Sequence, residues 1–126
     1  MGEPRSTETV AILGASAKPD RYSRRAFEML REYGHRVLPI NPALDEILGE
    51  KCFPTISAAP KPIDTVTIYL NESRSTPLIE DIISAKPRRI IMNPGAENVA
   101  LADRAATAGI DVVEACTLVL LRTGQF

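Results

Sequence analysis

VAILGASAKPDRYS, residues 10–23, runs a short apolar segment into a polar loop through a single glycine. A buried strand, a loop that lets backbone approach a phosphate and the start of a helix have this form. A dinucleotide fingerprint G-x-G-x-x-G begun at Gly14 requires glycine at positions 16 and 19, where Ser16 and Pro19 stand. The loop is of the phosphate-cradling kind without that fingerprint, so its ligand has to be sought in the rest of the chain.

The strand-then-helix pattern repeats. Apolar runs at 10–13, 37–40, 66–70, 90–92 and 110–113 are short and rich in β-branched residues, as buried strands are. Between the first two, Ala26, Phe27, Leu30 and Tyr33 recur at helical spacing and stop at Gly34. Leu78, Ile79, Ile82 and Ile83 repeat the spacing behind Thr76-Pro77, which reads as a cap followed by proline at the first helical position, and Pro87 closes the segment. Leu101, Ala102, Ala105 and Ala106 form a third helix ended by Gly109. The prolines from Pro42 to Pro62 and the Gly49 turn predict irregular chain there. Strands alternating with helices define an α/β class: a three-layer, doubly wound, five-stranded parallel sheet in a single domain. The expected organisation is a flexible leader over 1–8 and the domain over 9–126.

A chain of 126 residues buries a core without disulfide or metal support. Its 15 Lys plus Arg nearly balance 16 Asp plus Glu, so no global field recruits nucleic acid or an acidic membrane surface, and any anion site is local. Nothing resembles a membrane span or a signal peptide, which makes the expected location cytoplasmic. Cys52 and Cys116 form neither a disulfide framework nor a zinc pattern and read as reduced thiols; no metal site is expected.

In a doubly wound sheet ligands bind outside the carboxyl ends of the strands, where the strand order reverses beside the first strand. Gly14 lies at that edge. The backbone N–H groups of Ala15 to Ala17 and the hydroxyls of Ser16 and Ser23 are donors for phosphate oxygens, with Lys18, Arg21, Arg24 and Arg25 adding positive charge. The same residues are equally compatible with a plain turn and a solvated basic face. Nicotinamide-binding sheets end the second strand with Asp or Glu to hold the ribose, whereas here it ends at Asn41-Pro42, which favours a phosphorylated adenine nucleotide or simply turns the chain.

GASAKPDRYS, then LPINP, then EILGEKCFPTI and the strand opening Ile63-Asp64-Thr65-Val66 resemble the stand-alone CoA-binding domain family. The resemblance runs from Thr9 to about Cys116. It implies a Rossmann-like fold related to the CoA-binding domain of the succinyl-CoA synthetase α subunit, with CoA as ligand. Carried over by position, Gly14, Ala15, Ser16, Lys18 and Arg24 face the pyrophosphate and 3′-phosphate, Asn41 and Pro42 line the adenosine side, and Gly95 lies near the nucleotide. Two edges depart from the family pattern, at Tyr69-Leu70-Asn71 and at Met92-Asn93-Pro94-Gly95. The phosphorylated histidine of the synthetase belongs to a second domain with no counterpart in this sequence.

No reaction is legible. His35, the one histidine, falls at the amino end of the second strand, opposite the ligand edge, and reads as a surface residue. Glu97 is an acid–base candidate or a charge in a helix's first turn. Cys52 reads as a small apolar packing residue. Cys116 precedes the apolar run 118–121, a position at a helix amino terminus facing the ligand edge or that of an inert buried thiol. The expected cofactor-binding set is Gly14, Ala15, Ser16, Lys18, Arg21, Ser23, Arg24, Asn41, Pro42, Asn93, Gly95 and Cys116. The expected function is CoA or acyl-CoA binding without turnover, as a carrier, sensor or interaction module, with no nucleic-acid or membrane partner and a protein partner left open. An NAD(P)-using oxidoreductase or reductase subunit is the alternative, and an adapter with a decayed nucleotide pocket is a third reading.

Overall fold

A computed structural model describes residues 7–126, so most of the expected leader lies outside the described residues. In chain order the elements are β1 (Thr9–Leu13), α1 (Tyr22–Glu32), β2 (Arg36–Ile40), β3 (Glu46–Ile47), β4 (Glu50–Lys51), β5 (Thr65–Ile68), α2 (Glu72–Ser75), a 3₁₀ turn (Thr76–Leu78), α3 (Ile79–Ser84), β6 (Arg89–Met92), α4 (Val99–Thr107), β7 (Asp111–Glu114) and α5 (Thr117–Arg122). Five strands form one parallel sheet in the order β2-β1-β5-β6-β7. The chain therefore winds outward from β1 to one side, then returns to pair β5 on the other side of β1 and continues outward.

Period-two side chains split the core into two layers. On one face Ala11, Leu13, Leu38, Ile40, Val66, Ile68, Ile90 and Met92 pack with Ile79 and Ile82 of α3 and Leu101 and Ala105 of α4. On the other, Val10, Ile12 and Val37 meet Phe27 and Leu30 of α1 and Leu121 of α5. Burying a side chain the size of Phe27 is worth about 2–3 kcal/mol, which makes the inward stripe of α1 a main holder of that helix.

Pro39 sits inside β2 without cost to the sheet. Its register with Ile12 places β1 on one side, and its carbonyl accepts from Phe53 N–H at 2.9 Å in a bridge between Ile40 and Phe53. The Phe53 segment thus covers the outer edge of β2, which needs no further donor from Pro39.

Two expectations need correction. The stretch from Pro42 to Pro62 is not wholly irregular: β3 and β4 form a tight antiparallel hairpin, with Leu48 at φ 47° and Gly49 at φ 83° as its two turn residues. Two-residue strands are too short to leave an alternating pattern. The second helix does not begin at Thr76-Pro77. It begins at Asn71, whose Oδ1 accepts from Arg74 N–H at 3.1 Å, and Pro77 instead tightens its middle into the 3₁₀ turn because proline cannot donate to the preceding turn.

Asparagines hold the carboxyl edge together. Asn98 caps α4 by accepting from Leu101 N–H at 3.1 Å, while its amide donates to Ser75 Oγ at 2.8 Å and Thr76 Oγ1 at 3.1 Å. Asn93, 2 % exposed, donates to Thr67 Oγ1 at 2.7 Å and Ile68 O at 2.9 Å and accepts from Thr117 N–H at 2.8 Å. It thereby serves the start of α5, where Cys116 occupies the cap position without a side-chain bond.

The amino edge closes differently. Glu8 accepts from the Thr65 hydroxyl at 2.6 Å and from Arg89 Nη2 at 3.3 Å, and Arg89 Nε donates to Thr65 Oγ1 at 2.9 Å. The Arg89 guanidinium lies 4.4 Å from the Phe126 ring centre, and that ring sits 5.0 Å from His35, whose Nδ1 accepts from Glu8 N–H at 3.0 Å. His35 is thus half-buried and built into the closure of this edge.

Asn93→Ala is expected to lower unfolding stability by about 2–4 kcal/mol, because it strands the Thr117 N–H and removes the buried links to β5. Urea unfolding of the two proteins measures it, and a loss under about 0.5 kcal/mol would show that the edge does not rest on this side chain.

Candidate functional site

The carboxyl edge opens where β1 has β2 on one side and β5 on the other. A cleft of about 850 Å³ lies there, the size of pocket that takes a cofactor or a drug-sized ligand. Residues of the loop after β1 and the start of α1 form one wall. Pro54, Thr55 and Ile56, with Asn71, Arg74, Leu78 and Asp81, form the other; Ile40 to Ala43 and Pro94 to Ala96 stand at the two ends.

The loop after β1 is held from below. Gly14, at φ +88°, turns the chain so that its N–H and that of Ala15 both point at Ile40 O, at 3.3 and 3.2 Å. A Cβ on Gly14 would fall 2.9 Å from the Leu70 side chain and 3.3 Å from the carbonyl carbon of Tyr69, so the close approach of the loops after β1 and β5 also depends on this glycine. Asn41 Nδ2 then donates to Ala15 O at 2.7 Å, and Asn41 Oδ1 accepts from Ala43 N–H at 2.8 Å.

Beyond this clamp Lys18 N–H donates to Ser16 Oγ and Arg21 N–H to Lys18 O, each at 3.1 Å, but other donors are unoccupied. Among the described residues, no hydrogen bond engages the N–H groups of Ser16 and Ala17. Arg21 stands at the cap of α1 without a side-chain bond to the helix, which leaves the first-turn N–H groups of this eleven-residue helix open. Lys18 and Arg21 line the same wall, and neither side chain has a partner among the described residues. Preorganised backbone donors at a helix start with cations beside them suit an anionic ligand such as phosphate.

Of the residues singled out from sequence, Gly14, Ala15, Ser16, Lys18, Arg21, Ser23, Asn41, Pro42 and Gly95 line the cleft. Arg24 does not: its guanidinium donates to Ala17 O and to Glu28 Oε1, tying the loop to α1. Nor does Asn93, which is enclosed in the edge network, or Cys116, which is half-buried at the start of α5. Glu97 precedes the α4 cap rather than entering the first turn, and its carboxylate accepts from Gly95 N–H at 3.0 and 3.2 Å. Cys52 is buried against Val10 and Ile12, and burial, with the charge of Asp45 second, pushes its thiol up.

The sequence reading missed the far wall. Arg74 lies in the polar run NESRS, where nothing periodic marks it; only Asn71 in cap position hints that a helix presents it. Asp81 also lines the cleft, but one carboxylate oxygen accepts from Ile56 N–H at 3.1 Å and anchors that segment to α3. Tyr69 crosses the cleft floor to an enclosed position beside the hydroxyls of Thr67 and Thr117, which bond to each other at 2.8 Å and leave the phenol without a bond of proper geometry. Burial pushes the Tyr69 hydroxyl up to about 12; the Thr117 and Thr67 hydroxyls oppose the shift and Cys116 reinforces it.

A doubly wound sheet with an anion-ready loop at its switch point defines a nucleotide-binding class of domain. Within that class, the family model for a CoA binding domain matches residues 8–122, and the chain belongs to that family. It is 27 % identical over 77 residues to the uncharacterized protein YneT of Bacillus subtilis, a match covering 61 % of this chain and 57 % of that one. It is 33 % identical over 63 residues to an ADP-forming acetate–CoA ligase of Methanocaldococcus jannaschii, covering 50 % of this chain and 9 % of the ligase. The chain thus matches little more than half of the first relative and a small part of the second. A crystal structure of an uncharacterized protein superposes with a TM-score of 0.87 at 35 % identity, covering 97 % of this chain and all of that one.

The enclosed phenol has a measurable consequence. An unfolded chain releases the tyrosine proton near pH 10, whereas the folded chain holds it to about 12, so stability falls as pH rises through that window. Tyr69→Phe is expected to remove this alkaline loss and to be neutral or slightly stabilising at pH 7, because no hydrogen bond is given up. Denaturant unfolding of both proteins at pH 7 and pH 10.5–11.5 checks both signs; a variant clearly weaker at pH 7 would mean that the hydroxyl is bonded.

Proposed function

We propose that this chain binds CoA or an acyl-CoA in the cleft at the carboxyl edge. The observation that carries the reading is the row of unoccupied N–H groups at Ser16, Ala17 and the start of α1, with Lys18 and Arg21 beside them. Membership of the CoA-binding family supports it. In this arrangement the loop from Gly14 to Lys18, with Arg21 and Ser23, receives the phosphates. Asn41 and Pro42 flank the adenosine, and Gly95 closes the far end. Arg24 and Asn93 act one step back, Arg24 by bracing Ala17 and Asn93 by fixing the strand ends. Cys116 stands beyond the cleft lining, at the start of α5.

The nicotinamide alternative gains nothing from the site. Both ends of the Asn41 amide are engaged by Ala15 and Ala43, and the end of β2 offers no carboxylate to ribose hydroxyls. Among the described residues, no side chain lining the cleft forms a nucleophile–base pair, which fits a role as carrier, sensor or interaction module more readily than one in turnover.

Thermal unfolding with CoA, dephospho-CoA and NAD at equal concentration tests the reading. CoA at a hundred times its dissociation constant adds about 2.7 kcal/mol, a shift of several degrees for a domain of this size. Stabilisation by NAD and not by CoA would overturn it. Lys18→Ala is expected to weaken CoA binding and flatten its salt dependence while leaving the unliganded melting temperature unchanged. Arg24→Ala should instead lower both the affinity and the unliganded melting temperature, because Arg24 braces the loop; affinity unchanged from the wild type in both variants would remove the loop from the site.

A further inference from the structure

The cleft carries positive charge on both walls, and only one wall belongs to the phosphate loop. Lys18 and Arg21 project from the α1 side, whereas Arg74 comes from α2 on the opposite face of the sheet. Its backbone is held in the turn that follows β5: Asn71 accepts Arg74 N–H through both Oδ1 and its own carbonyl, each at 3.1 Å. Arg74 is exposed, lines the cleft, and its side chain has no partner among the described residues. On that wall Asp81 gives one carboxylate oxygen to Ile56 N–H, and no carboxylate among the described residues forms an ion pair with Arg74. A pyrophosphate seated on the open N–H groups of the first wall already has Lys18 and Arg21 beside it. Arg74 is therefore a cation left over, separated from the first pair across the cleft.

Resting on the CoA reading, we infer that Arg74 binds a second oxyanion of the ligand, distinct from the pyrophosphate, and so sets which CoA derivatives the cleft prefers. A guanidinium presents paired donors that fit a phosphate or a carboxylate equally. In a CoA thioester that group is either the phosphate on the ribose or a carboxylate at the end of the acyl chain, since the pantetheine arm between them is uncharged.

Calorimetric titration of the wild type and Arg74→Gln with two matched pairs separates these sources. CoA and dephospho-CoA differ only in the ribose phosphate; malonyl-CoA and propionyl-CoA differ in the acyl carboxylate. The substitution should weaken the more anionic member of one pair about ten-fold more than its neighbour, and the pair that responds names the source. Lys18→Ala, acting on the shared pyrophosphate, should weaken both members of each pair alike. Equal factors for Arg74→Gln within both pairs, or no loss at all, overturn the inference while the CoA reading stands. If the wild type binds none of the four ligands, the CoA reading fails and this inference with it.

Discussion

Right-handed crossover is the constraint on which the molecule depends. β1 runs through α1 to β2 on one side, while β5, its neighbour on the other side, runs through α2 and α3 to β6 in the opposite direction, and connections of one hand that proceed in opposite directions must cross on opposite faces of the sheet. α1 therefore covers one face and α2 with α3 the other, and nothing can fill the gap between their first turns directly above β1. The cleft is a result of chain topology before any side chain contributes to it. What the sequence adds is the furniture of that gap: one glycine that permits close approach, open amide donors, and cations on both sides.

A gap of this kind would sag without cross-ties, and three asparagines supply them. Asn41 joins the loop after β1 to the end of β2, Asn93 joins β5 and β6 to α5, and Asn98 joins α4 to the segment after β5, whereas Asn71 is a local cap whose bonds stay within α2. An amide suits the task because it donates and accepts from one rigid plane. In the loop after β1 the Gly14 and Ala15 N–H groups are taken by Ile40 O, and those of Ser16 and Ala17 are unpaired among the described residues.

The strands and the class of fold were legible because short β-branched runs bounded by Gly and Pro have few other readings. The hairpin at 46–51 was not, since two-residue strands leave no periodicity, and Pro77 was read as a helix start although it tightens a helix already begun at Asn71. The cleft was legible at its glycine and its basic loop, where chemistry and sequence position coincide. It was not legible at Asn93 and Arg24. A polar residue at a strand end or helix start looks equally available to a ligand or a neighbour, and the neighbours that claim Asn93 are 24 to 26 residues away. Arg74 was overlooked for the converse reason: a charged residue in a polar run carries no signal until the fold shows what it faces.

The closure of the amino edge stands apart from the cleft. Glu8 and Phe126 meet there through Arg89 and His35, at the rim opposite the cleft. The tie therefore joins the segment entering the first strand to the segment that follows the last helix, on the rim away from the cleft. A fold fastened in this way is clasped at its back: the closure that secures its edge draws on none of the residues that line the cleft.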